Sequence, residues 1–497
     1  MRSLVHKSFV IPGISLRGLA ILTAACLLLS ACFQAPIPGK TPVVVTETPT
    51  PGPAPTTLPS RPPYSPGELV DYIAQSGDTL PALAAHFNTS PEEIRSANPD
   101  IPADATTMPA GMPMKIPIYY LQFWGTSFKI LPDNLFVNGP SVTGFDTEAF
   151  VTAQPGWLKD YTGYAGGANR SGAGIVDYVA VNYSLSPRLL LTLLEFQTGA
   201  LSDPRAPDAQ YPLGYRNYNY SGLYLQLVWA ANTLNNGYYG WRTGRLTSFT
   251  HLDTLLERPD PWQNAASVAL QYYYSRLYFG DAYDQSVGPT GFSQAYWTLF
   301  GNPWADADAS FPVSLQQPEL ALPFPAGYIW AYTGGPHSAW GRGDPLAAID
   351  FAPATATSGC FPTNEYATAV ADGVVVRVQP GVVVLDLDGD GDEHTGWVIL
   401  YLHVATEGRV PIGAVLRTGD RVGHPSCEGG TSTGTHIHIA RKYAGEWLPA
   451  DGPIPFNLGG WVVHNGFVPY QGTLTRENIT ITACECADVF SQLEAGK

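Results

Sequence analysis

The spacing of apolar and polar residues changes several times along the chain, and each change marks a segment. Behind Arg2, Lys7 and Arg17 comes an unbroken apolar run, "GLAILTAACLLLSA", ending at Ala31. It is short for a membrane span and has a basic flank, so residues 1–31 read as an export signal. Residues 32–66 carry no periodicity; dense in Pro and Thr, they are expected to form an extended tether. Residues 67–118 give a strand (Leu69–Ala74), a helical "TLPALAAHF", a second helix "SPEEIRSAN" capped by Ser90 with Pro91 at its first position, and a closing strand "MPMKIPI". Between 121 and 317 the apolar spacing is helical, as in "SPRLLLTLLEFQTGALS", "SGLYLQLVWAANTLNNGYYGW" and "DPWQNAASVALQYYYSRLYFG". After the linker Gln316–Gly327, residues 328–473 turn strand-like, with "GVVVRVQPGVVVLDLDG", "GWVILYLHV" and "HIHIARKY" between Gly-rich turns. Residues 474–497 form a tail. The fold class expected is multidomain α+β: a small βααβ unit, a mostly helical middle domain and a C-terminal antiparallel β-sheet domain.

The 497 residues are 45% hydrophobic and 14% charged, enough apolar material for three or so cored domains. A formal charge of −16 removes nucleic acid from the expected partners, because no basic stripe is present to replace phosphate counterions. The apolar run ends "LSAC", which resembles the bacterial lipoprotein lipobox. That resemblance implies cleavage before Cys32, lipidation of its thiol, and an extracytoplasmic protein lipid-anchored to a membrane and facing the cell wall. Export also favours disulfides among Cys360, Cys427, Cys484 and Cys486, for which the sequence alone allows three pairings.

The segment 67–118, through "SGDTL", "LAAHF" and "EEIRSAN", resembles a LysM domain. The resemblance implies binding to N-acetylglucosamine-containing glycan such as peptidoglycan, with Gly77, Asp78 and Thr79 as the residues carried over. The middle helices resemble the lysozyme-like transglycosylase fold. That family needs a Glu as general acid, and its position here falls on Gln197, which cannot supply a proton. Glu195, two residues earlier, lies on another part of the helix face. A degenerate glycan-binding or spacer domain is therefore expected in the middle.

In "HIH", His436 and His438 stand two apart, so a strand points both imidazoles to one face while Ile437 and Ile439 point to the other. A catalytic zinc takes three protein ligands and keeps a position open, and a carboxylate serves beside two imidazoles. Asp350, on the apolar "PLAAIDFAPA", suits that role, since a charge there needs a partner. The stretches "GGPHSAWGRGDPLAAIDFAPA", "VADGVV", "GWVILYLHV" and "CEGGTSTGTHIHIA" resemble the lysostaphin and beta-lytic family of zinc peptidoglycan endopeptidases. Most of that family uses His-x-x-x-Asp, but Leu346 stands four residues before Asp350. The beta-lytic branch places twelve residues between the pair, which fits His337 and Asp350. The resemblance implies one zinc per chain held by His337, Asp350 and His438, with His403 and His436 handling protons and the oxyanion. His394, His424 and His464 match no ligand position and read as surface or loop residues. Cys360 and Cys427 flank the site and are expected to pair; Cys484 and Cys486 pair with each other or with another chain. "DLDGDGDE" begins like a calcium loop, but Trp397 stands where its closing Glu belongs, so an acidic hairpin tip is expected.

Together these readings describe a membrane-tethered cell-wall hydrolase that cuts peptidoglycan peptides and holds glycan through LysM. Two other classes remain: a wall-binding lipoprotein without catalysis that localises or activates a separate hydrolase, and a glycan-cleaving enzyme centred on the middle domain.

Overall fold

The computed structural model describes residues 61–206, 208–305, 311–354, 359–486 and 488–496. The export signal, Cys32 and the tether as far as residue 60 lie outside the described residues. Among those described, no helix is long and apolar enough to cross a membrane.

The first unit pairs β1 (Glu68–Ile73) antiparallel with β2 (Pro113–Ile118), and α1 (Leu80–Phe87) and α2 (Pro91–Ala97) cover the pair. Both helices start on hydroxyl caps: Thr79 accepts from the Ala82 amide and Ser90 from the Glu93 amide. Leu83, Phe87, Ile94 and Ile116 close a small core.

Four longer helices dominate the middle: α3 (Gly172–Tyr183), α4 (Pro187–Thr198), α5 (Leu223–Arg242) and α6 (Ala265–Ser275). Ser171 caps α3, and α4 ends at Gly199, whose φ of 60° allows the reversal that ends the helix.

The C-terminal part is built on a nine-stranded antiparallel sheet. Its principal strands are β3 (Ile329–Ser338), β4 (Leu346–Pro353), β5 (Gly373–Gln379), β6 (Gly381–Asp386), β7 (Trp397–Val404) and β8 (Ile437–Tyr443). The order across the sheet is β5-β6-β7-β8-β4-β3, with Val415–Leu416 beyond β5 and Gln492–Glu494 beyond β3. A four-stranded sheet adds β9 (Trp461–Asn465) and β10 (Gly472–Arg476) at its centre.

Strand alternation splits the large sheet into two faces with separate partners. Val383, Leu385, Ile399, Tyr401, Ile437, Ile439 and Phe351 turn to a core shared with Trp461, Val463 and Leu474. Val382, Val384, Val398, Leu400, Ala440 and Ala348 turn the other way and join one continuous core with α3 to α6. The middle segment is therefore a layer on the sheet, and the linker divides the two in sequence but not in packing. A degenerate glycan-binding or spacer domain was expected here; its packing follows from the apolar second face of the sheet, which needs a cover.

Candidate active site

Three neighbouring strands bring the site together. Asp350 on β4 and His438 on β8 are direct cross-strand partners, and His337 on β3 stands opposite Ala348. All three are buried, at 3% exposed for His337, 6% for Asp350 and 5% for His438. His337 Nε2 lies 2.9 Å from His438 Nδ1, and these two nitrogens are 3.3 and 3.4 Å from Asp350 Oδ1.

The other ring nitrogens settle the protonation. His337 Nδ1 donates to the Gly335 carbonyl at 2.8 Å, and His438 Nε2 donates to the Ala339 carbonyl at 3.0 Å. A carbonyl accepts only, so those nitrogens carry the protons and the converging ones present lone pairs. Asp350 Oδ1 is buried without a donor. Two lone-pair nitrogens and a carboxylate oxygen thus meet at one point, an arrangement that calls for positive charge. Burial pushes the Asp350 carboxyl up, but the neighbouring imidazoles outweigh it and hold it well below the usual range. Burial works against a charged His337, yet Asp350 raises its pKa. His438 is depressed, first by burial. These ligand atoms lie within 4.8 Å of one another, and the His-His-Asp donor set suits zinc. Gly334 supplies room: a Cβ there would sit 2.3 Å from Asp350 Oδ2.

His403 reaches the site through a backbone irregularity. In β7, Leu402 pairs with Val382 and Val404 with Gly381, which leaves His403 as the extra residue of a bulge with φ 66°. Plain alternation would turn His403 away from the face that carries Leu402; the bulge re-aims it. Its Nδ1 donates to the Glu428 carbonyl at 2.9 Å, leaving Nε2 as the lone-pair nitrogen. Burial, helped by His436 and His438, lowers its pKa to about 3. The His436 ring is 4.5 Å from that of His403, its Nδ1 lies 2.7 Å from the Gly434 carbonyl, and its Nε2 is 3.7 Å from Asp350 Oδ1.

Cys360 and Cys427 are disulfide-bonded, and their chain neighbours hold this second pair. Glu428 supplies the carbonyl on His403, while Gly359 and Phe361 supply carbonyls to Thr435, next to His436. Cys484 pairs with Cys486 in the same chain.

The other sequence candidates lie elsewhere. His424 bonds the Glu365 carbonyl, His394 bonds Asp392 and His464 bonds Thr475. Asp386, Asp388 and Asp390 converge at a hairpin tip and accept from that loop's own amides. Glu195 accepts from the amides of Leu201 and Ser202, so its carboxylate closes the turn after α4. Gln197 accepts from the Tyr273 hydroxyl and donates to the Leu213 carbonyl.

Gly77, Asp78 and Thr79 do not form a free surface. Gly77 is buried beneath Arg242, whose guanidinium bonds the Ser76 carbonyl, and Thr79 caps α1. Asp78 accepts from Tyr72 and the Gln75 amide, and burial pushes its pKa up to about 6. Across from them, Thr106 and Thr107 hydrogen-bond the backbone of Pro312–Leu315, and Ser76 accepts from the Phe311 amide. The segment Phe311–Leu315 thus packs beside this turn. Its partners lie more than 200 residues away in sequence, which no local pattern reveals.

Sequence reading also missed Tyr470, whose ring stacks on His337 at 4.2 Å, with its carbonyl bonded to the Gly335 amide.

Residues 129–314 match the family described as LasA, N-terminal domain, and residues 72–117 match the LysM domain. The chain thus resembles LasA over its middle segment and a LysM domain ahead of it. The chain is 27% identical over 351 residues to Protease LasA of Pseudomonas aeruginosa strain PAO1, covering 66% of this chain and 78% of that protein. Among solved structures, the deep-sea M23 metalloprotease Pseudoalterin aligns at 22% identity and TM-score 0.29, over 34% of this chain and 96% of its own. The catalytic domain of lysostaphin from Staphylococcus simulans aligns at 20% identity and TM-score 0.18, over 25% and 89% respectively. The helices that the sequence likened to a lysozyme-like fold lie inside the match to the LasA N-terminal domain.

Proposed function

We propose that this protein is a zinc endopeptidase that cuts the peptides of peptidoglycan, with LysM as its glycan-holding part and a lipid on Cys32 as its membrane tether. The observation that carries the reading is the meeting of three proton-free donor atoms, from His337, Asp350 and His438, beside two further imidazoles. Held by His337, Asp350 and His438, a zinc ion would supply Lewis-acid polarisation of a carbonyl and a water made nucleophilic near neutral pH. The chain's own groups supply the proton handling. His403, fixed by the Glu428 carbonyl, has Nε2 free to take a proton from the nucleophile and return it to the leaving amine. His436, on the same face, gives its Nδ1–H to the Gly434 carbonyl, so only as an imidazolium would it donate Nε2–H to the oxygen that gains charge during attack. Burial of His403 limits competition from bulk water at its ring.

The test uses the full chain with Cys32→Ser, beside the same chain carrying His438→Ala. About one zinc per chain, and new amino groups released from peptidoglycan only by the parent, are the expected results. New reducing ends instead of amino groups would move the activity to glycan. Wall binding with neither product would leave a binding lipoprotein. Label from radioactive palmitate on the native chain, absent after Cys32→Ser, checks the tether.

A further inference from the structure

The carbonyl that sets the His438 tautomer belongs to Ala339, and Ala339 begins a tight loop, "AWGRGDP", that runs to Pro345. The loop is closed from within. Ser338 Oγ donates to the Gly343 carbonyl at 2.6 Å, and the Ala339 amide donates to the Pro345 carbonyl at 3.2 Å. It is also gripped from outside, by one face of α5. Asn232 Oδ1 accepts from the Arg342 amide at 2.8 Å, and Asn236 Oδ1 accepts from the Asp344 amide at 2.7 Å. Arg245, just past the helix, pairs with the Asp344 carboxylate.

The two sequences are built for each other. Asn232 and Asn236 are one helical turn apart, so both side chains leave the same face of α5. Gly341 and Gly343 alternate with the residues whose amides are bound, at φ 76° and 89°. A Cβ on Gly341 would lie 2.5 Å from Asn232 Oδ1, and one on Gly343 would lie 2.1 Å from Asn236 Oδ1. Each glycine therefore provides both the left-handed backbone and the space that lets an asparagine reach the next amide.

We propose that Asn232 and Asn236 are positioning residues for the metal centre: by clamping the loop 339–345 they hold the Ala339 carbonyl on His438 Nε2 and so aim Nδ1 at the metal. The LasA N-terminal region would then be a working part of the site as well as a cover for the sheet. This rests on the zinc reading above. Groups behind a metal-bound imidazole fix its ring and tautomer, and their loss typically costs roughly 10–100-fold in metal affinity. The clamp acts one step further out, so the lower end applies.

The experiment measures zinc affinity of the full chain (Cys32→Ser) by chelator competition, together with the visible spectrum of the cobalt-loaded protein. Asn232→Ala with Asn236→Ala should weaken zinc by about tenfold and change the cobalt bands. Asn232→Asp with Asn236→Asp keeps both acceptor oxygens and should restore affinity. Leu190→Ala, buried in α4, destabilises the same helical layer without touching the loop and should leave affinity unchanged. An unchanged affinity and spectrum in the double alanine variant overturns the proposal while leaving the zinc reading intact. Equal weakening by Leu190→Ala also overturns it, as a stability effect. A parent chain that binds no zinc overturns both.

Discussion

Glu393 offers a quantitative test of how the sheet and the helical layer are held together. It sits in the loop between β6 and β7, buried, with Arg377 Nε at 2.7 Å and Lys442 Nζ at 3.3 Å. Arg377 also donates to Asn182 on α3. Burial alone would push the Glu393 carboxyl up, but Lys442 and Arg377 outweigh it and bring the pKa from 4.5 to about 2. A carboxyl held this low stabilises the fold fully above its unfolded value and loses that contribution as pH falls through the folded one. The gap corresponds to about 3 kcal/mol, of which roughly 1.4 kcal/mol should be gone by pH ~3.5. Burial lowers the pKa of Lys442, which costs stability at neutral pH; in acid the lysine is protonated whether folded or not, so the acid limb reports the carboxylate alone. The perturbation is Glu393→Gln, which removes the titrating group and leaves a buried lysine without its counterion, at a cost of about 3–5 kcal/mol near neutral pH. Urea unfolding followed by tryptophan fluorescence at several pH values gives the stability of parent and variant. Their difference should shrink on acidification by the amounts above. A difference that stays constant between neutral pH and pH ~3.5 would refute the assignment of Glu393 as a charged partner of the two cations.

Three further outcomes follow from the site and its supports. His403→Ala should keep zinc yet lose about 10²–10⁴ in kcat, which metal analysis and peptide release measure separately; loss of zinc instead would make His403 a ligand. Gly334→Ala should weaken zinc binding, because the added Cβ would meet Asp350 Oδ2 at 2.3 Å, and unchanged titration would count against that crowding. Arg242, with its side chain 10% exposed, binds the buried Glu446 through two contacts of 2.7 and 2.8 Å, and the Tyr238 hydroxyl also donates to Glu446. Arg242→Met should therefore cost about 3–5 kcal/mol, and adding Glu446→Met should recover much of it; equal stability of the single and double variants would show that the pair is not coupled.

Much of the site was legible because it depends on local rules. The alternation in "HIH" put His436 and His438 on one face, and an acid in an apolar strand marked Asp350 as a residue needing a partner. The spacing of His337 from Asp350 could be used only through a family resemblance. His403 too was reached only through that resemblance: "YLHV" reads as plain alternation, which assigns that imidazole to the wrong face, and the bulge left no local trace. The surroundings of the LysM turn were not legible for another reason. Thr79 and Asp78 have obvious local roles in turn and cap, but what lies over them is set by Arg242 and Pro312–Leu315. Those are long-range contacts, and a single sequence carries no local trace of them.

The placement of the site follows from how side-chain size is graded along one sheet face. On β8 the residues turned towards the helices are His438, Ala440 and Lys442, and on β4 they are Ala348 and Asp350. The alanines let the helical layer come close to the middle of the strands, where Val384, Val398 and Leu400 fill the space beneath it. At one end of β8, Lys442 is sealed in by Glu393; at the other the donors gather with no such seal. A polar cluster can occupy an apolar face only where the cover changes character. Here α5 ends its contact through asparagine amides on the loop 339–345, so the face passes from apolar packing to hydrogen bonding one loop away from His438. The helical layer thus marks where the core ends and the chemistry begins.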